Sequence, residues 1–376
     1  MLYNGLMKKF TLLIIIVAAG VLAFAASKIK SPATAPTPAS QDKTGRQAVE
    51  VIATDLTVPW DIDFLPAEAG SPGPAQIVVT ERPGNLLIIG QDKTVIKVEG
   101  VRHIGEGGLL GLAVHPDFKN NNWVYLYFTS GVGGRITNRI ERYRLLGNTL
   151  TDKKIILENI AGSSVHDGGQ VEFGPDGLLY ITTGDAGNES SAQDRNSLNG
   201  KILRLRDDGS IPADNPFGTA VYSYGHRNPQ GLAWDDRGRL WAAEHGRSGI
   251  QSGLDELNLI EKGKNYGWPA IQGDESREGM VTPVINSGAG ETWAPSGLAF
   301  FAGRLFFAGL RGQTLYAYNP QTKGLDKYFA GEYGRLRAVK TSNEGLYFTT
   351  SNRDGRGQPK TGDDKLILIR NPEILE

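Results

Sequence analysis

Asp176-Gly177-Leu178-Leu179-Tyr180-Ile181-Thr182 is the stretch that decides the fold. Asp-Gly suits a turn that needs a residue tolerant of positive φ, and the apolar run after it suits a half-buried strand. The same unit recurs as Gly84-Asn85-Leu86-Leu87-Ile88-Ile89, Asn121-Asn122-Trp123-Val124-Tyr125-Leu126-Tyr127-Phe128 and Arg237-Gly238-Arg239-Leu240-Trp241-Ala242-Ala243. Ala302-Gly303-Arg304-Leu305-Phe306-Phe307-Ala308 and Glu344-Gly345-Leu346-Tyr347-Phe348-Thr349-Thr350 complete the set. Six copies, 37 to 65 residues apart, predict radial repetition of a four-stranded sheet. The expectation is an all-β chain folded as a six-bladed β-propeller of four-stranded antiparallel sheets, with a large β-sandwich as the competing arrangement. No long stretch after residue 49 carries helical periodicity. The irregular spacing predicts long loops gathered on one face around the central channel.

Composition agrees and removes several chemistries. The chain has 376 residues, 39% of them apolar and 22% charged, enough to build a core. Forty-nine glycines imply many tight turns. Forty basic against 41 acidic residues give a net charge of −1, so there is no broad basic face for nucleic acid. With no cysteine, disulfide frameworks, zinc ribbons, iron–sulfur clusters and thiol nucleophiles are excluded. H-E-x-x-H, G-x-S-x-G, P-loop and EF-hand patterns are absent as well. Gly105-Glu106-Gly107-Gly108 resembles a nucleotide loop only superficially, since no βαβ unit surrounds it.

Lys8 and Lys9 precede an apolar run from Phe10 to Ala26 that ends in small residues. Residues 1–26 therefore read as a secretory signal or, alternatively, an uncleaved N-terminal anchor. Residues 27–48 read as a flexible tether, and 49–376 as the propeller. Either N-terminal reading places the folded part in the periplasm or outside the cell. Membrane contact is expected only through such an anchor. No apolar interface stripe stands out, so a monomer is the expected state.

Chemistry concentrates in a few polar loops. Val165-His166-Asp167-Gly168-Gly169-Gln170 sets a histidine before two glycines, at a loop tip open to a ligand. As a general base His166 needs a partner to fix its tautomer, and Asp185 on the adjacent strand is the candidate. Alternatively, the two are a turn histidine and a surface aspartate. Gly225-His226-Arg227-Asn228-Pro229-Gln230-Gly231 offers Arg227 as a planar fork for a carboxylate or developing oxyanion. Glu244-His245-Gly246-Arg247 ends a strand where backbone carbonyls could meet a hard cation. Arg335 and Arg337 stand at i and i+2, on one face of a strand, and two such cations call for anions. His115, in a His-Pro-Asp-Phe turn, reads as structural.

In this order, Gly-Glu-Gly-Gly-Leu-Leu-Gly (105–111), His-Asp-Gly-Gly (166–169), Gly-His-Arg-Asn-Pro-Gln-Gly (225–231) and Asn-Tyr-Gly-Trp-Pro (265–269) resemble the soluble quinoprotein sugar dehydrogenases. The periplasmic aldose sugar dehydrogenases are the nearer branch, and the resemblance runs from about Leu56 to Leu366. It implies a propeller carrying pyrroloquinoline quinone (PQQ) and calcium, which oxidises the C1 hydroxyl of an aldose and passes electrons to an external acceptor such as a quinone, cytochrome or dye. His166 would be the base, Asp185 its orienting partner, and Arg227 the stabiliser of charge on the quinone oxygen. Glu106, Asn228, Thr292, Arg311, Arg335 and Arg337 match cofactor contacts. The carbonyls of Gly246 and Arg247 match one calcium site, and Glu256 with the carbonyl of Tyr266 a second.

This chain departs from the family in three places. Glu106 stands where the glucose enzyme has glutamine. Gly309-Leu310-Arg311-Gly312 lacks the cofactor-binding lysine, leaving Arg311 as the cation there. Arg247 replaces a proline, and the loop Ser248 to Leu254 is longer. Two other functions compete: a calcium-dependent lactonase-type hydrolase, which needs acidic side chains converging on metal in the channel, and a non-catalytic binding propeller.

Overall fold

The computed structural model describes residues 48–66, 76–370 and 375. The expected signal or anchor and nearly all of the expected tether lie outside these residues. The tether's last residue, Ala48, is buried, and its carbonyl accepts the Arg370 N–H at 3.0 Å.

Six antiparallel four-stranded sheets follow one another along the chain. The first blade is Pro59–Phe64, Ile77–Glu81, Asn85–Ile89 and Lys93–Lys97. The second is Leu109–Val114, Trp123–Val132, Arg135–Leu146 and Thr149–Ala161, and the third Val171–Phe173, Leu179–Thr183, Lys201–Leu205 and Val221–Tyr224. The fourth is Pro229–Trp234, Leu240–Glu244, Glu256–Ile260 and Ile285–Asn286; the fifth is Pro295–Phe301, Arg304–Gly309, Leu315–Tyr318 and Leu325–Tyr328. The sixth takes Leu336–Ser342, Gly345–Thr350 and Leu366–Ile369, and its outer strand is Val49–Ala53 from the other end of the chain. Val49 pairs with Ile369 and Val51 with Ile367, so the ring is closed by its earliest strand.

Five of the six turn-strand units open the second strand of a blade. The Gly84 unit opens the third strand of the first blade, one strand out of phase. In that blade the sequence before the second strand, Pro66 to Ala75, is rich in Pro, Gly and Ala and carries no copy of the turn-strand unit.

First strands of successive blades pack against one another around the axis, and the step from third to fourth blade is carried by Leu179–Thr183 against Pro229–Trp234. Apolar clusters fill the gaps between blades, such as Leu86, Ile88, Leu112, Leu126 and Phe128 between the first two. Along the axis the inner strands carry charge. Lys340 Nζ donates to Glu172 Oε1 at 2.5 Å and lies 3.9 Å from Asp63 Oδ1. Asp61, 4% exposed, completes the group, its carboxylate accepting N–H groups from Ile62, Leu112 and Gln170 at 2.9, 3.0 and 3.1 Å. Three acidic side chains around one ammonium thus tie the first, third and sixth blades together.

Candidate active site

In an antiparallel pair, the start of the first strand and the end of the second share an edge. Glu106, His166, Arg227, Thr292 and Arg335 all lie just before first strands, while Asp185, Arg247, Arg311 and Arg356 lie just after second strands. The propeller therefore delivers them to the same end of the channel. A cavity of about 520 Å³ opens there, lined by Glu106, His166, Arg227, Gly246, Arg247, Thr292, Arg311 and Arg335 among others. Asp185, Asn228 and Arg337 lie behind its wall. Glu256 and Tyr266 border a smaller neighbouring cavity with Glu244 and Gln272.

His166 sits at φ +56°. Its Nδ1 meets Asp185 Oδ1 at 2.7 Å, and its backbone N–H donates to Glu106 Oε2 at 3.0 Å. With Nδ1–H donating to the carboxylate, Nε2 is the ring nitrogen left for the cavity. Burial alone would raise the Asp185 carboxyl, yet hydrogen bonds from His166, Gly187 and Trp268 hold it below its ordinary value. Two glycines make the approach possible. A Cβ on Gly184 would stand 2.0 Å from the His166 carbonyl oxygen, and one on Gly168 2.6 Å from Thr183 Cα. Asn228 Oδ1 accepts the Gly168 N–H at 3.0 Å and so braces the loop from behind.

Arg227 is anchored through its backbone: its N–H donates to Glu244 Oε1, and its carbonyl accepts the Asp185 N–H at 2.8 Å. Its Nη2 donates to Ser248 Oγ at 2.9 Å, while Nε and Nη1 are buried without a partner. Asn228 Nδ2, His245 Nε2, Arg247 Nε and Arg337 Nε are likewise buried and unpartnered. Burial, with Arg337 and Arg227 adding to it, pushes His245 down to about 3, so its ring is neutral at pH 7. Leaving so many donors unmet is costly, and an anionic, oxygen-rich ligand fits them.

Arg335 and Arg337 already have side-chain partners for part of their donors. Arg335 forks onto Asp354 Oδ2 through Nε and Nη2 at 2.8 and 2.7 Å. Arg337 lies deeper, its Nη1 on Gln230 Oε1 at 2.6 Å and its guanidinium 5.3 Å from the Trp60 ring. Arg311 Nη1 donates to Ser252 Oγ at 2.7 Å, and Thr292 Oγ1 reaches the same hydroxyl at 3.1 Å. Glu106 is not left bare: Arg356 Nη1 meets its Oε1 at 2.9 Å. Burial works against its charge, but the His166 N–H, His245 and Arg356 bring the Glu106 carboxyl down to about 2.

Among the described residues, no three His, Asp or Glu side chains converge to hold a metal. A cation at this end would therefore lean on carbonyl oxygens. The Arg247 carbonyl accepts a long bond from Gly253 N–H, 3.4 Å. Glu256 faces Glu244 across neighbouring strands, and burial first, then Glu244, raises its carboxyl to about 8. Asn258 Oδ1 and Gln272 Oε1 are buried acceptors without donors. That set of oxygens suits a hard cation.

Sequence reasoning missed the side chains of Glu244, His245, Trp268 and Arg356. His226, read as part of a functional loop, is fully buried: Nδ1 meets Glu244 Oε2 and Nε2 meets Ser223 Oγ, both at 2.9 Å. This Ser–His–Glu chain is sealed, with Ser223 at 0% exposure, and it shapes the Arg227 turn. His115 is structural, its Nδ1 accepting the Asp117 N–H at 3.0 Å.

The fold and the site together define a six-bladed propeller whose mouth holds a histidine–aspartate pair and a cavity lined by several arginines. Residues 56–368 match the family described as Glucose / Sorbosone dehydrogenase, and the chain belongs to that family. It is 39% identical to the PQQ-bound aldose sugar dehydrogenase of Streptomyces coelicolor, with 85% of this chain and 97% of that one covered at a TM-score of 0.77. The aldose sugar dehydrogenase YliI of Escherichia coli is 31% identical over 348 residues, 82% of this chain and 91% of that protein. Quinoprotein glucose dehydrogenase B of Acinetobacter calcoaceticus is 36% identical over 255 residues, 58% of this chain and 52% of that protein.

Proposed function

We propose that this chain is a PQQ-dependent aldose dehydrogenase that oxidises the C1 hydroxyl of a sugar to the lactone. The observation that carries the reading is the His166–Asp185 pair, 2.7 Å apart, beside the unmet donors of Arg227 and the unpartnered His245 Nε2. Nε2 of His166 takes the hydroxyl proton, and Asp185 holds the ring in the right tautomer and stabilises the imidazolium that forms. PQQ, when bound, supplies an electrophilic carbonyl carbon that accepts the hydride from C1, and its three carboxylates answer the arginines. Arg227 offers Nε and Nη1 to an oxygen that gains negative charge. Glu106, Asn228, Thr292, Arg311, Arg335 and Arg337 belong to the cofactor's surroundings, Arg337 and Asn228 from behind the wall.

Calcium suits the carbonyls of Gly246 and Arg247 at the cavity, where it would polarise a bound carbonyl. Glu256 and the Tyr266 carbonyl hold the second site, with Asn258 Oδ1 and Gln272 Oε1 nearby. The lactonase alternative is disfavoured because the acidic side chains that converge in the channel, Asp61, Asp63 and Glu172, already enclose Lys340 Nζ. The electrons leave to an external acceptor, which fits export through the N-terminal signal or display on its anchor. No described helix is long and apolar enough to cross a membrane.

The test is reconstitution. The full chain, stripped of metal, is supplied with PQQ and calcium separately and together, and dye reduction is followed with several aldoses. Turnover that needs both additions supports the reading, and failure of the folded protein to bind PQQ overturns it.

A further inference from the structure

The Asn-Tyr-Gly-Trp-Pro stretch enters the function so far only through the carbonyl of Tyr266. Its tryptophan makes two contacts that bear on the reaction centre. The Trp268 Nε1–H donates to Asp185 Oδ2 at 2.9 Å, while the other carboxylate oxygen, Oδ1, takes His166 Nδ1 and the Gly187 N–H, each at 2.7 Å. The Asp185 side chain is fully enclosed, so water has no access with which to replace the indole. The ring of Trp268 also lies 5.2 Å from the Arg227 guanidinium carbon, within cation–π range.

We propose that Trp268 is a positioning residue that fixes the Asp185 carboxylate and the Arg227 guanidinium in one geometry, so that a single side chain sets both the proton acceptor and the charge stabiliser. This rests on the reading of His166 and Asp185 as the base pair.

Trp268 is itself held firmly. Its N–H donates to the Gly225 carbonyl at 2.9 Å, and its carbonyl accepts Gln193 Nε2 at 2.6 Å. Gln193 and Asn265 exchange two side-chain amide bonds, 3.0 and 2.8 Å, behind it. The residue is half-buried and takes part in none of the apolar core clusters, so filling volume does not explain it. Only tryptophan combines an N–H donor for an enclosed carboxylate with a broad π face for a guanidinium. A second link runs through the backbone, where the Asp185 N–H donates to the Arg227 carbonyl at 2.8 Å. Asp185, Arg227 and Trp268 thus form a closed triangle of contacts drawn from three separate loops.

The test uses Trp268→Phe, which keeps a ring under Arg227 but removes the donor, and Trp268→Leu, which removes both. In the reconstituted enzyme Trp268→Phe should lower kcat roughly tenfold, the loss of a hydrogen bond to a charged group, with aldose KM and PQQ affinity unchanged. Trp268→Leu should in addition weaken PQQ binding through Arg227. In an Asp185→Asn background Trp268→Phe should cause no further loss. Additive losses, or a wild-type kcat in Trp268→Phe, would overturn the proposal.

A cofactor-free readout separates this idea from the functional reading. The chain has six tryptophans, and the indole N–H signal missing from Trp268→Phe identifies Trp268 in the nitrogen–proton spectrum of the apo-protein. That signal should move in Asp185→Asn and in His166→Gln; a stationary signal refutes the coupling even if turnover is never observed. Absent turnover with a signal that does move refutes the assigned reaction and leaves the triangle standing.

Discussion

The charged group on the propeller axis makes a prediction whose size and pH dependence follow from its contacts. Lys340→Met keeps the length of the side chain and removes its charge, leaving Glu172, Asp63 and Asp61 without the ammonium that Glu172 meets at 2.5 Å. Stripping one partner from a buried ionic group costs about 3–5 kcal/mol. The cost depends on pH, because the stranded carboxyls can take up protons instead. Burial is the largest influence raising both Asp61, to about 8, and Glu172, and Lys340 is the first influence opposing it. Removing Lys340 therefore raises both further. A carboxyl whose folded value exceeds its unfolded value gives stability below the unfolded value, about pH 4, and loses it as pH rises through the folded one. Asp61 is protonated below about pH 8 in parent and variant alike, so the variant should lose stability faster than the parent through Glu172 first and through Asp61 from about pH 8 upward. The expected gap is about 1 kcal/mol or less at pH 5 and approaches about 3–5 kcal/mol by pH 9. Urea unfolding followed by circular dichroism at the two pH values measures it. An equal gap at both would refute the electrostatic reasoning and leave only lost packing.

Three further outcomes are expected. His166→Gln should leave PQQ bound while lowering kcat by about 10²–10⁴-fold; turnover within a few-fold of the parent would remove His166 from the role of base. Glu106→Gln removes a negative charge beside the cavity, so PQQ affinity in equilibrium titration should rise roughly tenfold. Its stability should fall by up to about 3 kcal/mol above pH 4.5, where the ionised Glu106 contributes fully, and the deficit should close as pH drops toward 2. Asp167, raised to about 6 chiefly by burial and with Oδ2 unpartnered, should cost the parent stability as pH climbs from about 4 through 6. Melting curves of Asp167→Asn should lack that decline, with a gain of at most about 3 kcal/mol at pH 7.

The ring of six blades was readable because its signal is local, a turn residue followed by an alternating strand. The one phase error fell in the first blade, where the sequence Pro66 to Ala75 carries no copy of the turn-strand unit that opens the second strand of the others. His166 and Asp185 could be paired in advance because they flank one hairpin, the start of its first strand and the end of its second. Contacts between blades left no such trace. Glu106 meets Arg356 across 250 positions and Trp268 meets Asp185 across 83, and neither pairing has a periodicity to reveal it. Glu244 looked like a strand end beside a candidate cation site. In the fold its carboxylate gathers Arg227 N–H, Asn228 N–H and His226 Nδ1, a task set by three-dimensional crossing rather than by spacing.

The register between Val49 and Ile369 also constrains how the protein comes into being. A chain emerging from the ribosome makes Val49–Ala53 long before Leu366–Ile369, the strand it pairs with. The cavity draws its walls from Glu106 near the second blade to Arg356 in the last, so no product cut short of Arg356 can complete it. A ligand that needs the whole cavity is therefore captured only after Arg356 has been made, and a chain lacking Leu366–Ile369 should carry an open seam, a hydrogen-bonding edge exposed to other chains.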